Sequence, residues 1–339
     1  MLNKAIRIFG AVSVALVCSG ALDAAGAKLL LTKFEIDGAV DVTVLGENNS
    51  DAVTGYYTDS SKVQHGFLRT PDGTITTFDP AGSVSTAPQG ISDSGAITGY
   101  YSDSAGAQHG FLRTADGTIS EFDPKKSVHG TNAFGVKGKG STVGYYLDVN
   151  YAPHGFIRKP GGKINEVTVP NTFESFPLYF GPDGSIIGGA YDMELNQVGF
   201  LEDRDGNATL FSGPGGGQTL VGGINDKGYI SGSYVESSDT HPFDGYVRAP
   251  DGTMTSFKGP SAVWTFAYNI NKTGQTAGYY TLAGNLARAY VREPNGKLKT
   301  LLFDGATSTA ASWINNNGTI AGYWFDSDNH SHGCLWLQQ

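Results

Sequence analysis

His65-Gly66-Phe67-Leu68-Arg69-Thr70 returns unchanged as His109 to Thr114 and, with one aliphatic exchange, as His154-Gly155-Phe156-Ile157-Arg158. Weaker copies begin at Val198, Asp244, Arg288 and His332, so successive starts lie 44, 45, 44, 46, 44 and 44 residues apart. A period of this length, held over seven copies, marks a repeat architecture in which each unit buries its apolar face against the next.

Turn chemistry divides each unit into four short strands. In the second unit the runs Thr86 to Ser92, Ala96 to Tyr101, His109 to Thr114 and Thr118 to Asp123 read as strands. Asp93-Ser94-Gly95, a polar loop and Ala115-Asp116-Gly117 separate them. Asp-Gly between two β-prone runs predicts a type I′ hairpin turn. The signal recurs as Asp72-Gly73, Asp205-Gly206 and Asp251-Gly252. Four antiparallel strands in one such unit make a propeller blade. The last unit stops at Gln339, directly after its third strand. Its fourth is predicted at the other end of the chain, because Phe34 lies 21 residues before Gly55 just as Phe78 lies 21 before Gly99. The expected fold is therefore all-β: a single seven-bladed β-propeller over residues 28–339, with the segment Leu30 to Ile36 completing the last blade and removing an exposed edge.

Residues 1–27 read as a signal peptide. Lys4 and Arg7 precede an apolar run from Ile8 to Cys18, too short to span a bilayer, and Ala25-Gly26-Ala27 supplies a small-residue cleavage site. The chain is expected to be secreted or periplasmic, with no membrane span. Loss of Lys4, Arg7 and Asp23 leaves 21 basic and 31 acidic residues, moving the net charge from −9 to −10. An acidic surface without basic clusters argues against a nucleic-acid partner. Cys334 is then the sole cysteine, so no intrachain disulfide can form, and it stands in the phenylalanine column as a small hydrophobe. With 48 glycines and 16% charged residues, the composition is that of a turn-dense β protein.

The succession of Ile-Ser/Asn-Asp-x-Gly, Ile-Thr-Gly-Tyr-Tyr and His-Gly-Phe-Leu resembles the bacterial HAF repeat of extracellular proteins. Its best matches are the phrases at His65, His109, His154 and His332, with the turns at Asp93, Asp226 and Asn316. Val198, Asp244 and Arg288 depart from it. The resemblance implies a secreted repeat protein and transfers no catalytic residue.

Two recurrent columns invite a chemical reading. Asp59, Asp103, Asp148 and Asp326 each precede a histidine, His65, His109, His154 and His332, by six residues. Such pairs can orient a base or hold a metal. Recurrence around a ring favours a corner device, with aspartate capping the loop or the histidine. The Gly-Tyr-Tyr runs likewise read mostly as core, because both faces of a blade pack on neighbours.

Function is sought where the copies disagree. The column Asp41, Ser85, Gly130, Glu174, Gln218, Trp264 and Ser308 has no consensus and lies where each innermost strand begins. His129 and Phe173 stand beside it, with Phe176, Tyr179, Phe266, Tyr268 and Trp313 deeper in the same strands. Glu47 replaces the isoleucine of other repeats and adds a second carboxylate to the first unit. Trp264, Gln218, Glu174, Asp41 and His129 are the expected ligand-binding set, in a binding or scaffold protein that recognises a glycan or surface component. One alternative is a carbohydrate-active hydrolase or lyase using Glu174, Asp41 and His129, which must then converge. The other is a structural envelope protein. No metal or cofactor is expected, since no nucleophile elbow, zinc-protease motif or calcium loop occurs. Pro214-Gly215-Gly216-Gly217 reads as a flexible rim loop.

Overall fold

A computed structural model describes residues 29–236 and 243–338 as strands β1 to β28 and connecting turns, without helix. The signal-peptide expectation falls on residues outside this range. Seven sheets of four antiparallel strands each form the blades of a β-propeller. Blade 1 runs outward from β2 (Ala39–Glu47) through β3 (Val53–Asp59) and β4 (Gln64–Arg69) to β5 (Ile75–Phe78). Blades 2 to 6 repeat that order. Blade 7 joins β26 (Ser308–Ile314), β27 (Ile320–Phe325) and β28 (Ser331–Gln338) to β1 (Leu29–Phe34), which pairs Phe34 with Gly333 and Leu29 with Gln338. The two ends of the chain thus close the ring, as the sequence predicts.

The repeated phrase is the cement between blades. Phe67, Phe111, Phe156 and Phe200 are fully buried, as is Cys334 at the seventh copy, whose thiol is held protonated by burial. The preceding glycine gives the last aromatic of the same blade its place: a Cβ on Gly110 would stand 2.8 Å from the Phe122 ring. That aromatic then packs on the next blade, with Phe78 and Phe111 centroids 6.1 Å apart and Phe122 and Phe156 5.9 Å apart. The arginine of the phrase covers it, Arg113 over Phe78 at 5.0 Å and Arg158 over Phe122 at 4.9 Å. Each such cation–π contact adds about 0.5–2 kcal/mol to the area buried.

The tight turns differ from the expected type I′. Gly117 donates to Thr114 O and Thr114 to Thr118 O, which makes a three-residue loop, and Gly117 has φ +93° while Asp116 is not left-handed. Asp116 acts instead through its side chain, accepting from Thr118 N and Thr114 Oγ1. The loop is a type I turn closed by a left-handed residue, the second common hairpin solution. The turns between second and third strands use the same device, with the left-handed place held by Gly106, Asn285 and Asn329 but also by Lys62, Tyr151 and Leu195. The glycine-rich rim segment is not a loose loop either. Gly216 already pairs with Glu236 in β18 (Gly216–Ile224), and a Cβ on Gly217 would stand 2.1 Å from Val235 O.

Strand direction sorts the loops. The turns between strands two and three and the connections between blades lie on one face, called upper here, and the remaining turns on the lower face. Glu47 is at the lower end of β2, away from the rim with which the sequence groups it. It is 2% exposed, Oε1 accepts from Asn315 Nδ2 of blade 7 at 3.3 Å, and Oε2 has no partner. Burial first, and Asp51 second, push its carboxyl well above the ordinary range.

Candidate functional site

The aspartate and histidine columns settle into latches on the upper face. Asp59 Oδ1 accepts from Ser61 N and Val63 N and so caps the turn. His65 stacks on Tyr57 and His109 on Tyr101, each with centroids 5.1 Å apart. Their Nδ1 atoms lie 2.7 Å from Asp79 and Asp123, and the other oxygen of each aspartate accepts from Thr86 or Thr131 of the following blade. These aspartates were not singled out in the sequence, although Phe78-Asp79-Pro80 and Phe122-Asp123-Pro124 repeat the same phrase. In the later blades the hydroxyl column is tied to the backbone instead, Gly213 and Gly259 donating to Thr219 and Thr265. The imidazoles and carboxylates are committed to one another and to the seams. This is architecture repeated, as the recurrence suggests.

The non-consensus column does lie at the upper rim, at the head of each innermost strand. Trp264, the first residue of β22 (Trp264–Ile270), is 42% exposed and meets Phe266 edge-on at 6.4 Å. Phe266 stacks in turn with Tyr268, so alternate residues of one strand carry three rings from rim to interior. Gln218 is exposed in the neighbouring blade, beside the bulge that opens β18. Glu174, on β14 (Thr172–Phe180), is half-buried and pairs across the sheet with Tyr191 of β15 (Ile186–Asp192). Burial raises its carboxyl pKa, against a smaller opposing effect of His154. Phe173, beside it, is 66% exposed.

The three residues of the enzymatic alternative are each engaged elsewhere. Asp41 faces His330 of blade 7 at 3.5 Å. His129 lies flat on Tyr151 of its own blade, centroids 3.6 Å apart at 5°. Glu174 faces Tyr191 and His154. No contact among the described residues joins them.

The axis holds what the sequence could not place. Each innermost strand bulges at one equivalent position, and there the strands come close: a Cβ on Gly90 would lie 2.8 Å from Phe134 O and one on Gly135 2.6 Å from Leu178 O. Three blades break the glycine pattern, blade 4 with Tyr179, blade 6 with Asn269 and blade 7 with Trp313. Tyr179 of blade 4 and Trp313 of blade 7 reach across, with centroids 5.8 Å apart. Those blades are three apart in the ring, so this contact bridges the axis and floors a hollow. Above it stand Tyr268 and Tyr279, which share a hydroxyl hydrogen bond, and Tyr323. Burial pushes Tyr179 and Tyr145 up to about 12. Tyr179, Tyr268, Tyr279 and Tyr323 are half-buried, and rings so far inside a propeller meet solvent only along its axis.

A groove of about 450 Å³ lies elsewhere, between the outer strands of blades 5 and 6, lined by Tyr229, Thr255, Phe257 and Arg292. Arg292 there makes the repeated stack over Phe257, at 4.7 Å, and the groove holds no member of the variable column. The axial hollow, with its aromatic walls and differing rim, is the better candidate site. Among the described residues no helix is long and apolar enough to cross a membrane.

No known protein family and no curated protein sequence matches this chain. Solved structures do match in fold. A streptogramin B lyase is similar at a TM-score of 0.59 and 12% identity, over 92% of this chain and 98% of that one. The β-propeller domain of the Trilobed protease from Pyrococcus furiosus gives 0.63 at 7% identity, over 89% and 95%. The lectin BP39L from Burkholderia pseudomallei gives 0.56 at 11% identity, over 85% and 93%. A lyase, a protease domain and a lectin on one architecture fix the fold and leave chemistry to the site.

Proposed function

We propose that this chain is a secreted, non-enzymatic binding propeller of the HAF-repeat type, which recognises a glycan at the upper end of its axial hollow. The observation that carries the reading is the ladder Trp264, Phe266 and Tyr268, which leads from an exposed indole to phenols around the axis. Sugar rings stack on such faces, and the amide of Gln218 and the carboxylate of Glu174 supply the few directional groups that a stacked ligand needs. Asp41 and His129 border the same rim as flanking contacts. The separate engagements of Asp41, His129 and Glu174 favour binding over hydrolysis or elimination, which require convergent groups. The BP39L lectin, on the same fold, is compatible with this reading. Export to the periplasm or beyond agrees with the leader-like sequence of residues 1–27.

A glycan-array screen of the full chain, with Trp264→Ala beside it and bound sugars inspected for cleavage, tests the proposal. Binding that is lost in the variant, with the ligand intact, supports it. Cleaved ligand turns the reading to an enzyme, and an array without any hit removes the glycan.

A further inference from the structure

Blade 4 lacks a ring that five of the seven blades share. Tyr56, Tyr100, Tyr145, Tyr279 and Tyr323 occupy one position on the second strand, and blade 4 has Gly189 there. A Cβ at Gly189 would meet nothing nearer than Val198 O at 3.9 Å, whereas the glycine beside it, Gly188, is pressed to 2.1 Å against Phe176 O. The missing ring leaves open space on the axial side of the sheet. Phe176 lies opposite Gly189 and Glu174 opposite Tyr191, so the carboxylate, both rings and the open space share one side of the sheet. Tyr145 of blade 3 meets Phe176 edge-on at 5.2 Å, and Tyr191 meets it from the other side at 6.1 Å. Glu174, Phe176 and Tyr191 keep some solvent contact, and Tyr145 is buried behind them.

The carboxylate of this corner lacks a dedicated counter-charge. Its ionisable neighbour is His154, which is already held by Asp148 at 3.0 Å. No hydrogen-bond donor among the described residues reaches Glu174. A half-buried carboxylate walled by the faces and edges of aromatic rings suits an organic cation, which gains both the ion pair and the ring quadrupoles.

We infer that the corner formed by Glu174, Phe176, Tyr191 and Tyr145 over Gly189 binds the ammonium group of an amino sugar. This rests on the glycan reading above and narrows it, since a deacetylated amino sugar presents a cation on a ring of the kind that the exposed Trp264 can stack. An N-acetylated sugar buries an uncharged amide in the same place and leaves the carboxylate unpaired. Glucosamine oligomers bind more tightly than N-acetylglucosamine oligomers of equal length, by about tenfold or more.

Titration calorimetry of the full chain with glucosamine tetramer, N-acetylglucosamine tetramer and tetramethylammonium, on wild type and Glu174→Gln, tests the inference. The expected result is a preference for glucosamine that Glu174→Gln abolishes without shifting the melting temperature. Equal affinity for the two tetramers, or a preference that survives in Glu174→Gln, overturns the ammonium site and leaves glycan binding standing. If neither tetramer binds but tetramethylammonium binds wild type and not the variant, the glycan reading fails and the cation corner stands. Absence of binding by all three probes overturns it.

Discussion

Blades 2 and 4 have the same four strands and nearly opposite interiors. In blade 2, Ala87 of the innermost strand faces Tyr100 of the second; in blade 4, Phe176 of the innermost strand faces Gly189. The ring has moved one strand toward the axis. Blade 5 makes a milder version of this exchange, with Leu220 opposite Ser233. Either strand can supply the ring, and blade 6 carries one on each, with Phe266 opposite Tyr279. At the outer seam the two blades agree: both bury a phenylalanine completely, Phe111 and Phe200. Agreement between copies marks what holds blades together, and the proposed ligand surface lies where the copies disagree along the rim.

Breaking the seam has the largest effect. Phe111→Ala removes a fully buried ring between blades 1 and 2 and is expected to cost about 3–5 kcal/mol in denaturant unfolding. A cost below about 1 kcal/mol would show that the seam tolerates rearrangement as the axis does.

Glu47 tests the opposite kind of departure, a disagreement that faces no ligand. Glu47→Ile restores the side chain carried by other blades and removes a buried oxygen without a partner, a gain of about 1–3 kcal/mol near neutral pH. Because the folded pKa stands above the ordinary 4.5, ionisation opposes folding once pH rises past the unfolded value. The advantage of Glu47→Ile over wild type is thus smallest at about pH 4 and grows toward neutrality. A difference that stays flat with pH, read from melting curves, contradicts a carboxyl pKa raised by burial at Glu47.

The histidine column sharpens the comparison further. His109 is raised above 6.5, chiefly by its hydrogen bond to Asp123, and contributes stability that is present in acid and lost as pH rises through its folded value. His332 is 3% exposed, and burial lowers it to about 4, so its contribution is lost as pH falls below 6.5. Imidazole NMR signals of the two are expected to titrate on opposite sides of 6.5. His109→Ala, at a partly exposed site, is expected to cost less than about 1 kcal/mol, more at pH 5 than at pH 8. Trp264→Ala should change stability least, within about 0.5 kcal/mol.

The sequence makes the ring legible because a period of 44 to 46 residues and a displaced fourth strand are one-dimensional facts. The Asp-Gly signal located the hairpins between third and fourth strands in blades 1, 2, 4 and 5 but assigned the wrong turn type, since the side chain of Asp116 rather than its backbone does the work. Asp79 and Asp123 were hidden because their partners lie 14 residues away in one direction and 7 or 8 in the other, across a seam. The rim position of Glu174 and Trp264 follows from alignment of the copies. The contact of Tyr179 with Trp313 does not, for it depends on the radius at which seven strands meet.

The most direct measurement is the dissociation constant of the best array glycan for wild type, Trp264→Ala and His109→Ala. A loss of about tenfold or more in Trp264→Ala with unchanged affinity in His109→Ala is the expected result. Equal affinity in Trp264→Ala, or a comparable loss in His109→Ala, would contradict the assignment of variable columns to ligand and shared columns to fold.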